Sequence, residues 1–247
     1  MMTNCGAVIL AAGDGVRMKS AYPYVMKKLL SKPMISWVLT AAKKSGIPDI
    51  AVVVAKPDGM VAQFVGDECE VFAQPEQKGT AHAAMHAKSF IEAHKNGNIL
   101  ILNGDSPLMD AGSIRNALMH HLEAGNDVTV IAARVEKPFG YGRIVRDHNN
   151  GNFAGIVEER DASGEVKRIN EISSGAYWFK ASSLLLGLQN TQPRQNGESN
   201  LVDTISWLLE NGKKCDTSSA MSPDVVLGAN DRSQLHELNH IARMREL

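Results

Sequence analysis

The sequence has few cysteines, almost no net charge and no long apolar run. Its three cysteines, Cys5, Cys69 and Cys215, lack metal-ligand spacing and fit a reducing cytoplasm. A net charge of -1 argues against a broad surface for nucleic acid or membrane. No segment approaches the roughly 20 apolar residues that span a bilayer, and no secretory signal is visible. We therefore expect a cytoplasmic protein without nucleic-acid or membrane partners.

The chain is instead rich in core-forming residues arranged in alternating patterns. It has 247 residues, 44% of them hydrophobic, which allows one large α/β domain or two small ones. In the first half we predict strands at 7–11, 50–55, 70–73, 99–103 and 128–133, with helices at 34–45, 58–64, 80–93 and 113–124. This alternation predicts an α/β fold with a mainly parallel sheet covered by helices on both faces, and ligands bound beyond the carboxyl ends of its strands.

The second half has a different pattern. Short strands predicted at 142–146, 152–158 and 175–179 are separated by turn residues, which indicates a small antiparallel or mixed sheet forming one wall of a cleft. Helices are predicted at 182–189 and 201–210. The final segment, 231–247, is charged and periodic, and we predict a helix that leaves the core.

A glycine-rich turn follows the first predicted strand. Gly13 and Gly15 allow a sharp turn with close approach to a ligand, and Arg17 adds a fixed positive charge. Backbone N–H groups and a planar cation suit the triphosphate of a nucleotide. The pattern matches neither the Rossmann fingerprint nor a Walker loop, and a simple strand-to-helix turn is the alternative.

Polar residues also follow the strand at 99–103. Asp105, just beyond that strand, is a candidate Mg²⁺ ligand, because magnesium takes hard oxygen donors and commonly uses one or two protein groups plus phosphates. Asn230 could supply a second oxygen. The alternatives are a turn former for Asp105 and a helix N-cap for Asn230.

The segment 74–83 ends another strand and opens a helix. Gln74 carries both a donor and an acceptor, the pair needed to recognise a pyrimidine edge, and Gly79 permits close approach of a base. Thr80 is also suited to cap the helix. His82 is interpreted as a packing residue rather than a catalytic one, because no nucleophile pattern accompanies it.

Three short segments with polar residues follow in the second half, at 141–143, 155–158 and 171–175. Glu158 ends an alternating strand. In a cleft wall its carboxylate could accept hydrogen bonds from sugar hydroxyls, and the alternative is a solvated charge at a strand end.

The order of these motifs resembles that of the sugar-1-phosphate nucleotidyltransferases. The series is L-A-A-G-x-G-x-R-M, K-P-M, Q-x-x-Q-x-G-T-x-H-A, G-D-x-P-L, Y-G-R-I, G-I-V-E, E-I-x-x-G and G-x-N-x-R. It covers nearly the whole chain and is most similar to the uridylyltransferase domain that makes UDP-N-acetylglucosamine. The resemblance implies in-line attack of N-acetylglucosamine-1-phosphate on the α-phosphate of UTP, with Mg²⁺ as cofactor and pyrophosphate as the second product.

The resemblance also implies domain limits and site residues. It implies a Rossmann-like nucleotidyltransferase domain at 1–230, with a nucleotide-binding part at about 1–135 and a sugar-binding lobe at about 136–225, then a helix at 231–247 without the family's β-helix acetyltransferase domain. The implied nucleotide-binding residues are Leu10, Ala11, Ala12, Gly13, Gly15, Gln74, Gly79 and Thr80. The catalytic residues are Arg17 and Asp105, the metal ligands Asp105 and Asn230, and the sugar-binding residues Asn103, Gly142, Glu158 and Ser173.

Two positions depart from the family pattern. Tyr24 stands where the family has a phosphate-contacting lysine, and Ser173 replaces an asparagine. Lys27 or Lys28 could substitute for the missing cation, although both also fit surface positions. These departures leave two alternatives open: a catalytically weakened protein that binds nucleotide sugars, or a related transferase with another sugar or base. We expect a monomer or a weak homo-oligomer.

Overall fold

The computed structural model describes residues 4–13, 22–228 and 232–244. Within them, a nine-stranded sheet has the order β11-β7-β10-β6-β1-β4-β5, with β8 and β9 joined to it through β10. Its strands are β1 Cys5–Ala11, β4 Asp49–Val54, β5 Glu70–Ala73, β6 Asn98–Asn103, β7 Val128–Arg134, β8 Arg143–Arg146, β9 Phe153–Val157, β10 Glu171–Lys180 and β11 Cys215–Ser219. A separate hairpin pairs β2 Lys28–Leu29 with β3 Lys32–Pro33.

Helices cover both faces of this sheet. They are α1 Met34–Lys44, α2 Met60–Val65, α3 Thr80–His86, α4 Lys88–Ala93, α5 Ala111–Glu123, α6 Ala181–Asn190, α7 Leu201–Glu210 and α8 Arg232–Met244. Because side chains alternate along a strand, Ile9 packs into the cluster under α1, α2 and α5, whereas Val8 packs under α3, α4, α6 and α7. The predicted α/β class and its two helical layers are confirmed.

The sheet is mainly parallel, as predicted. β1 lies between β4 and β6 and is parallel to both, β4 is parallel to β5, and β11 is parallel to β7. The exception is β10, which is antiparallel to both β6 and β7. The predicted antiparallel extension is present, since β8 pairs antiparallel with β9 and with β10.

Several elements differ from the sequence-based prediction. β10 was predicted as a short strand of the second half, but its ten residues lie inside the main sheet between β6 and β7. β11 was not predicted, and the helix predicted at 80–93 is two helices that meet at Ala87.

The last helix does not leave the core. Leu238 and Ala242 of α8 are buried against Tyr24, Leu29 and Met34. The backbone N–H of Leu30, in the β2–β3 turn, donates to Asn239 Oδ1 at 2.7 Å. α8 therefore packs against the β2–β3 hairpin and the Tyr24 segment before it. Across the described ranges, no helix combines the length and apolar character needed to cross a membrane.

Candidate functional site

The predicted phosphate-binding turn begins at the carboxyl end of a central strand. Leu10 at the end of β1 is the register partner of Asn103 at the end of β6, and the N–H of Gly104 donates to Leu10 O at 2.9 Å. Ala11 and Ala12 are buried and Gly13 is exposed. This brings the start of the turn next to the segment that carries Asp105. Gly15 and Arg17 lie outside the described residues.

A side chain that sequence reasoning did not single out supports this end of β1. Gln77 Nε2 donates to Ala12 O at 3.0 Å, although the two residues are 65 positions apart. Gln77 is the second glutamine of the Q-x-x-Q pattern, so its position in that motif was the available signal. The contact ties the predicted base-binding loop to the predicted phosphate-binding strand.

Gln74 is anchored where β5 ends. Its backbone N–H donates to Val54 O at 2.8 Å, and only 3% of the residue is exposed. Its side-chain Nε2 lies 3.2 Å from Gly79 O and 2.8 Å from His82 Nδ1. His82 is therefore a partner of Gln74, beyond the packing role predicted for it.

Gly79 and Thr80 join the start of α3 to the start of α7. Gly79 has φ of +96°, and a Cβ there would lie 2.4 Å from Ser199 O, so a side chain is excluded. Thr80 Oγ1 accepts a hydrogen bond from the N–H of Leu201 at 2.9 Å, and the N–H of Thr80 donates to Asn200 Oδ1 at 3.3 Å. The N-cap of α3 is Gly79, so Thr80 satisfies a donor of the other helix instead of capping its own.

A break in the β10 ladder forms the floor of the predicted sugar site. The β10–β7 register shifts between Ser173 and Tyr177, and the backbone at Gly175 has φ of +73°. A Cβ on Gly175 would lie 2.4 Å from Asn103 Nδ2, so a side chain there would combine a left-handed backbone with displacement of that amide. Ser173 Oγ accepts from the N–H of Gly175 at 3.2 Å and donates to Tyr177 Oη at 3.3 Å.

The opposite wall comes from β8 and β9. Gly142 faces Glu158: a Cβ at position 142 would lie 3.6 Å from either carboxylate oxygen and 2.9 Å from Ile156 Cγ2. Burial raises the pKa of Glu158, and the positive charges of Arg194 and Arg160 partly oppose that shift. A carboxylate in such a site is stabilised by hydrogen bonds from a ligand, because burial leaves its charge poorly hydrated.

These walls enclose a cavity of about 470 Å³. Six residues predicted from sequence line it, drawn from both halves of the chain: Thr80, Asn103, Asp105, Gly142, Glu158 and Ser173. The structure thus brings all four predicted sugar-binding residues into one cavity with the predicted metal ligand. Ala11, Ala12, Gln74 and Gly79 are not part of its lining and lie on the β1 and α3 side.

The described residues around Asp105 include the segment that precedes residue 230. A Cβ on Gly228 would lie 3.3 Å from Asp105 O, so the segment that leads to residue 230 passes Asp105. Tyr141 lies beside both. Burial raises the pKa of its phenol, a backbone hydrogen bond with Gly228 lowers it, and the charge of Asp105 raises it further. Asn230 itself lies outside the described residues.

A buried ion pair supports the wall that carries Gly142. Arg143 is 1% exposed, its Nη2 lies 2.6 Å from Glu159 Oε2, and its Nη1 donates to Tyr141 O. Glu159 Oε2 also accepts from the N–H of Gly140 at 3.1 Å. The sequence analysis named Arg143 only as part of a motif. In the structure, the contacts of Arg143 hold the turn at 140–142 against Glu159.

The substitution at position 24 does not place a phenol in the cavity. Tyr24 lies in a short 3-10 helix and is 6% exposed, among Leu29, Met34 and the α8 residues Leu238 and Ala242. Lys28 is exposed and Lys27 half-buried. Tyr24 is therefore a core residue of the α8 contact and supplies no charge.

A mainly parallel α/β sheet with a polar cavity at the carboxyl ends of its strands has the crevice in which open α/β folds bind their ligands. The family model described as Nucleotidyl transferase matches residues 6–220. The chain belongs to this nucleotidyl transferase family.

Its curated relatives are longer proteins. The chain is 40% identical to the bifunctional protein GlmU of Caldanaerobacter subterraneus subsp. tengcongensis over 99% of its own length and 53% of that protein. It is 38% identical to the bifunctional protein GlmU of Acetivibrio thermocellus, over 98% of its own length and 52% of that protein. The chain therefore spans about half the length of these relatives.

A solved structure shares the fold. It comes from Bacillus anthracis, is described as a glucose-1-phosphate thymidylyltransferase and was obtained with bound sucrose. Its TM-score is 0.78, with 97% of this chain and 95% of that chain covered, at 20% sequence identity. At this identity the likeness establishes the fold but gives no information on the substrates.

Proposed function

We propose that the protein transfers a uridylyl group from UTP to a hexosamine-1-phosphate, with N-acetylglucosamine-1-phosphate as the preferred acceptor. The observation that carries the proposal is the shared cavity, in which Asn103, Gly142, Glu158 and Ser173 face a common space with Asp105. A polar cavity lined by Asn103, the register partner of Leu10 at the end of β1, suits a sugar phosphate that must meet a nucleotide. The identity to the GlmU relatives supports the same assignment.

The chemistry requires charge neutralisation and positioning more than acid–base catalysis. An oxygen of the sugar phosphate forms a bond to the α-phosphorus of UTP, and the bond from that phosphorus to the bridging oxygen breaks, which releases pyrophosphate. The attacking phosphate is already ionised at neutral pH, so the step needs no general base. The protein's task is to align two anions and offset their charge, a role we assign to Arg17 directly and to Asp105 through the Mg²⁺ ion that it would hold.

Asp105 and Asn230 are the proposed ligands of a Mg²⁺ ion. The donor set fits this ion, because one carboxylate and one amide oxygen leave places for phosphate oxygens and water. In the part of the chain that the structure describes, no group of three or more His, Cys, Asp or Glu side chains could hold a metal, so a site completed by substrate phosphates is expected. When bound, magnesium supplies charge stabilisation at the α-phosphate.

The proposed nucleotide-binding residues are Leu10, Ala11, Ala12, Gly13, Gly15, Gln74, Gly79 and Thr80. Their support is the approach of β1, β6 and the 74–80 segment at one sheet edge. We place the nucleotidyltransferase domain at 1–230 as the sequence predicted it, with the sugar-binding wall drawn from 136–225 and with β10 and β11 of that range in the main sheet. We also propose a monomer or weak homo-oligomer. The free thiols of Cys5, Cys69 and Cys215 support a reducing, cytoplasmic setting.

Pyrophosphate release tests the proposal directly. Purified protein with Mg²⁺, UTP and N-acetylglucosamine-1-phosphate should release pyrophosphate and form the UDP-sugar, and omission of any one component should stop it. Asp105→Ala should lower turnover by at least about a hundredfold, because the metal loses its charged protein ligand. Asp67→Ala, at an exposed position of a short 3-10 helix, is the matched control. No product with any sugar phosphate or nucleotide triphosphate would refute transferase activity.

One observation favours a second candidate, a catalytically weakened protein that binds nucleotide sugars. Tyr24 is buried in an apolar cluster and brings no cation where the resemblance implies a lysine. Calorimetry that detects UDP-N-acetylglucosamine binding, combined with absence of turnover, would support this candidate over the transferase.

A further inference from the structure

The carboxamide of Gln74 is held in one orientation by two neighbours. Its Nε2 lies 3.2 Å from Gly79 O and 2.8 Å from His82 Nδ1. A backbone carbonyl oxygen only accepts, so the side facing Gly79 must be the NH₂ group; the opposite orientation would set two oxygens against each other. His82 Nδ1 then accepts the second amide hydrogen, which requires a neutral ring that carries its proton on Nε2.

The surroundings of His82 favour that neutral ring. Burial lowers the pKa of His82, and the nearby charges of His86 and Lys78 lower it further, whereas Glu76 has the opposite effect. The His86 ring lies edge-on to the His82 ring, with centroids 4.8 Å apart. Burial and these neighbouring charges therefore favour a neutral ring whose Nδ1 can accept a hydrogen bond.

Both amide hydrogens of Gln74 are consequently used inside the protein. Among the described residues no donor contacts Oε1, so the hydrogen-bonding capacity left for a ligand is that of an acceptor. The sequence suggested that Gln74 offers both a donor and an acceptor to a base, and the structure narrows this to an acceptor. Uracil and thymine carry an N–H at ring position N3, whereas N3 of cytosine is itself an acceptor.

We propose that His82 is a positioning residue for base specificity: it holds the Gln74 carboxamide so that Oε1 selects a pyrimidine with an N3–H donor over cytosine. The proposal rests on the proposed function, in which Gln74 contacts the base of the nucleotide. His82 touches neither base nor phosphate in this scheme. Its contribution is to keep the amide from rotating to the orientation that would accept cytosine.

The test compares UTP with CTP in variants of His82. His82→Leu removes the acceptor and should lower the UTP-to-CTP ratio of kcat/KM by about tenfold, roughly the effect of one lost hydrogen bond. The change should appear in KM and in calorimetric affinity, with kcat for UTP little altered. His82→Asn offers an amide oxygen near the place of Nδ1 and should restore most of the ratio. His148→Leu, at an exposed turn, is the control that should keep it.

The outcomes separate this proposal from the proposed function. If the wild type binds UTP but releases no pyrophosphate, the transferase proposal fails, and the calorimetric UTP-to-CTP ratio still decides the role of His82. A folded His82→Leu variant with the wild-type ratio would overturn the inference. If that variant does not fold, ¹⁵N NMR of the wild type decides: an unprotonated Nδ1 on His82 at neutral pH supports the inference, and a protonated Nδ1 refutes it. A wild type that binds neither nucleotide overturns both proposals.

Discussion

Thr80 Oγ1 accepts a hydrogen bond from the backbone N–H of Leu201 at 2.9 Å across 121 positions of sequence. The contact joins the first turns of α3 and α7. Two backbone bonds accompany it: the N–H of Ala81 donates to Ser199 O and the N–H of Ser199 donates to Lys78 O, at 2.9 and 2.8 Å. The predicted base-binding segment is therefore built together with a loop from the far half of the chain.

This junction predicts a strict requirement for glycine at position 79. Gly79→Ala should destabilise the fold by about 2–4 kcal/mol, because it combines a left-handed backbone with a Cβ that would lie 2.4 Å from Ser199 O. Urea unfolding measures the change. Gly164→Ala, where no heavy atom lies within 4 Å, should change stability by no more than about 0.5 kcal/mol. Equal effects of the two substitutions would contradict the predicted junction.

The burial of Tyr24 predicts that the family's lysine cannot simply be restored. Tyr24→Lys should destabilise the protein by about 3 kcal/mol or more, because an ammonium group replaces a phenol among Met34, Leu238 and Ala242. Denaturant midpoints and pyrophosphate release are the two measurements. Met119→Lys, at a position of α5 that is 58% exposed, is the control and should be nearly neutral. Faster turnover of Tyr24→Lys with unchanged stability would show that position 24 faces the phosphates.

The position of Glu158 predicts an effect confined to the sugar. Glu158→Gln should raise KM for the sugar phosphate by about tenfold, since a charge-assisted hydrogen bond becomes a neutral one. KM for UTP should change less, because Thr80 is the only one of the described nucleotide-binding candidates that lines the cavity with Glu158. Initial rates with each substrate varied in turn give both constants. Glu165→Gln, at an exposed position, is the control; a parallel rise in both KM values would place Glu158 elsewhere in the mechanism.

Buried His121 predicts a loss of stability in mild acid. Burial lowers its pKa to about 4, and the ring lies between Thr129 Oγ1 at 3.0 Å and Asn98 Oδ1 at 3.1 Å. Below about pH 6.5 His121 binds a proton in the unfolded chain but stays neutral in the folded protein. The free energy of unfolding therefore falls as the pH drops from about 6.5 towards 4. The full effect is about 3 kcal/mol.

Urea unfolding at several pH values between 7 and 4.5 measures this dependence. His121→Gln should flatten the curve over that window, although it will lower stability overall. His148→Gln, at an exposed turn, should retain the slope of the wild type. A wild-type slope that persists in His121→Gln would assign the acid sensitivity to other groups.

The sequence predicted the elements whose patterns are local. The apolar runs that became β1, β4 and β6 are buried strands, and the residues just beyond them face a common edge. Asp105 and Asn103 could be placed near the start of the glycine-rich turn on that ground alone. The candidate sugar-binding residues were predicted from the order of the motifs. That they line one cavity could be seen only once the fold was known.

The errors have physical causes. β11 has the sequence C-D-T-S-S, with almost no apolar side chains to mark a strand, and it forms by pairing with β7. The first residues of β10 escaped detection because the bulge between Ser173 and Tyr177 interrupts the alternation. Ala87 separates α3 from α4 without a glycine or proline to signal the break. Long-range contacts such as His82 with Gln74, or α8 with Tyr24, had no local pattern.

One strand serves both the cleft and the central framework. The first part of β10 pairs with β7 and carries Ser173 into the cavity, and its second part, from Tyr177 onward, pairs with both β6 and β7. The ladder between them is open where Gly175 departs from ordinary strand geometry. The proposed acceptor wall and the central sheet thus share one strand, and because Gly175 at the break also lines the cavity, a substitution there would change the wall and its attachment to the sheet together.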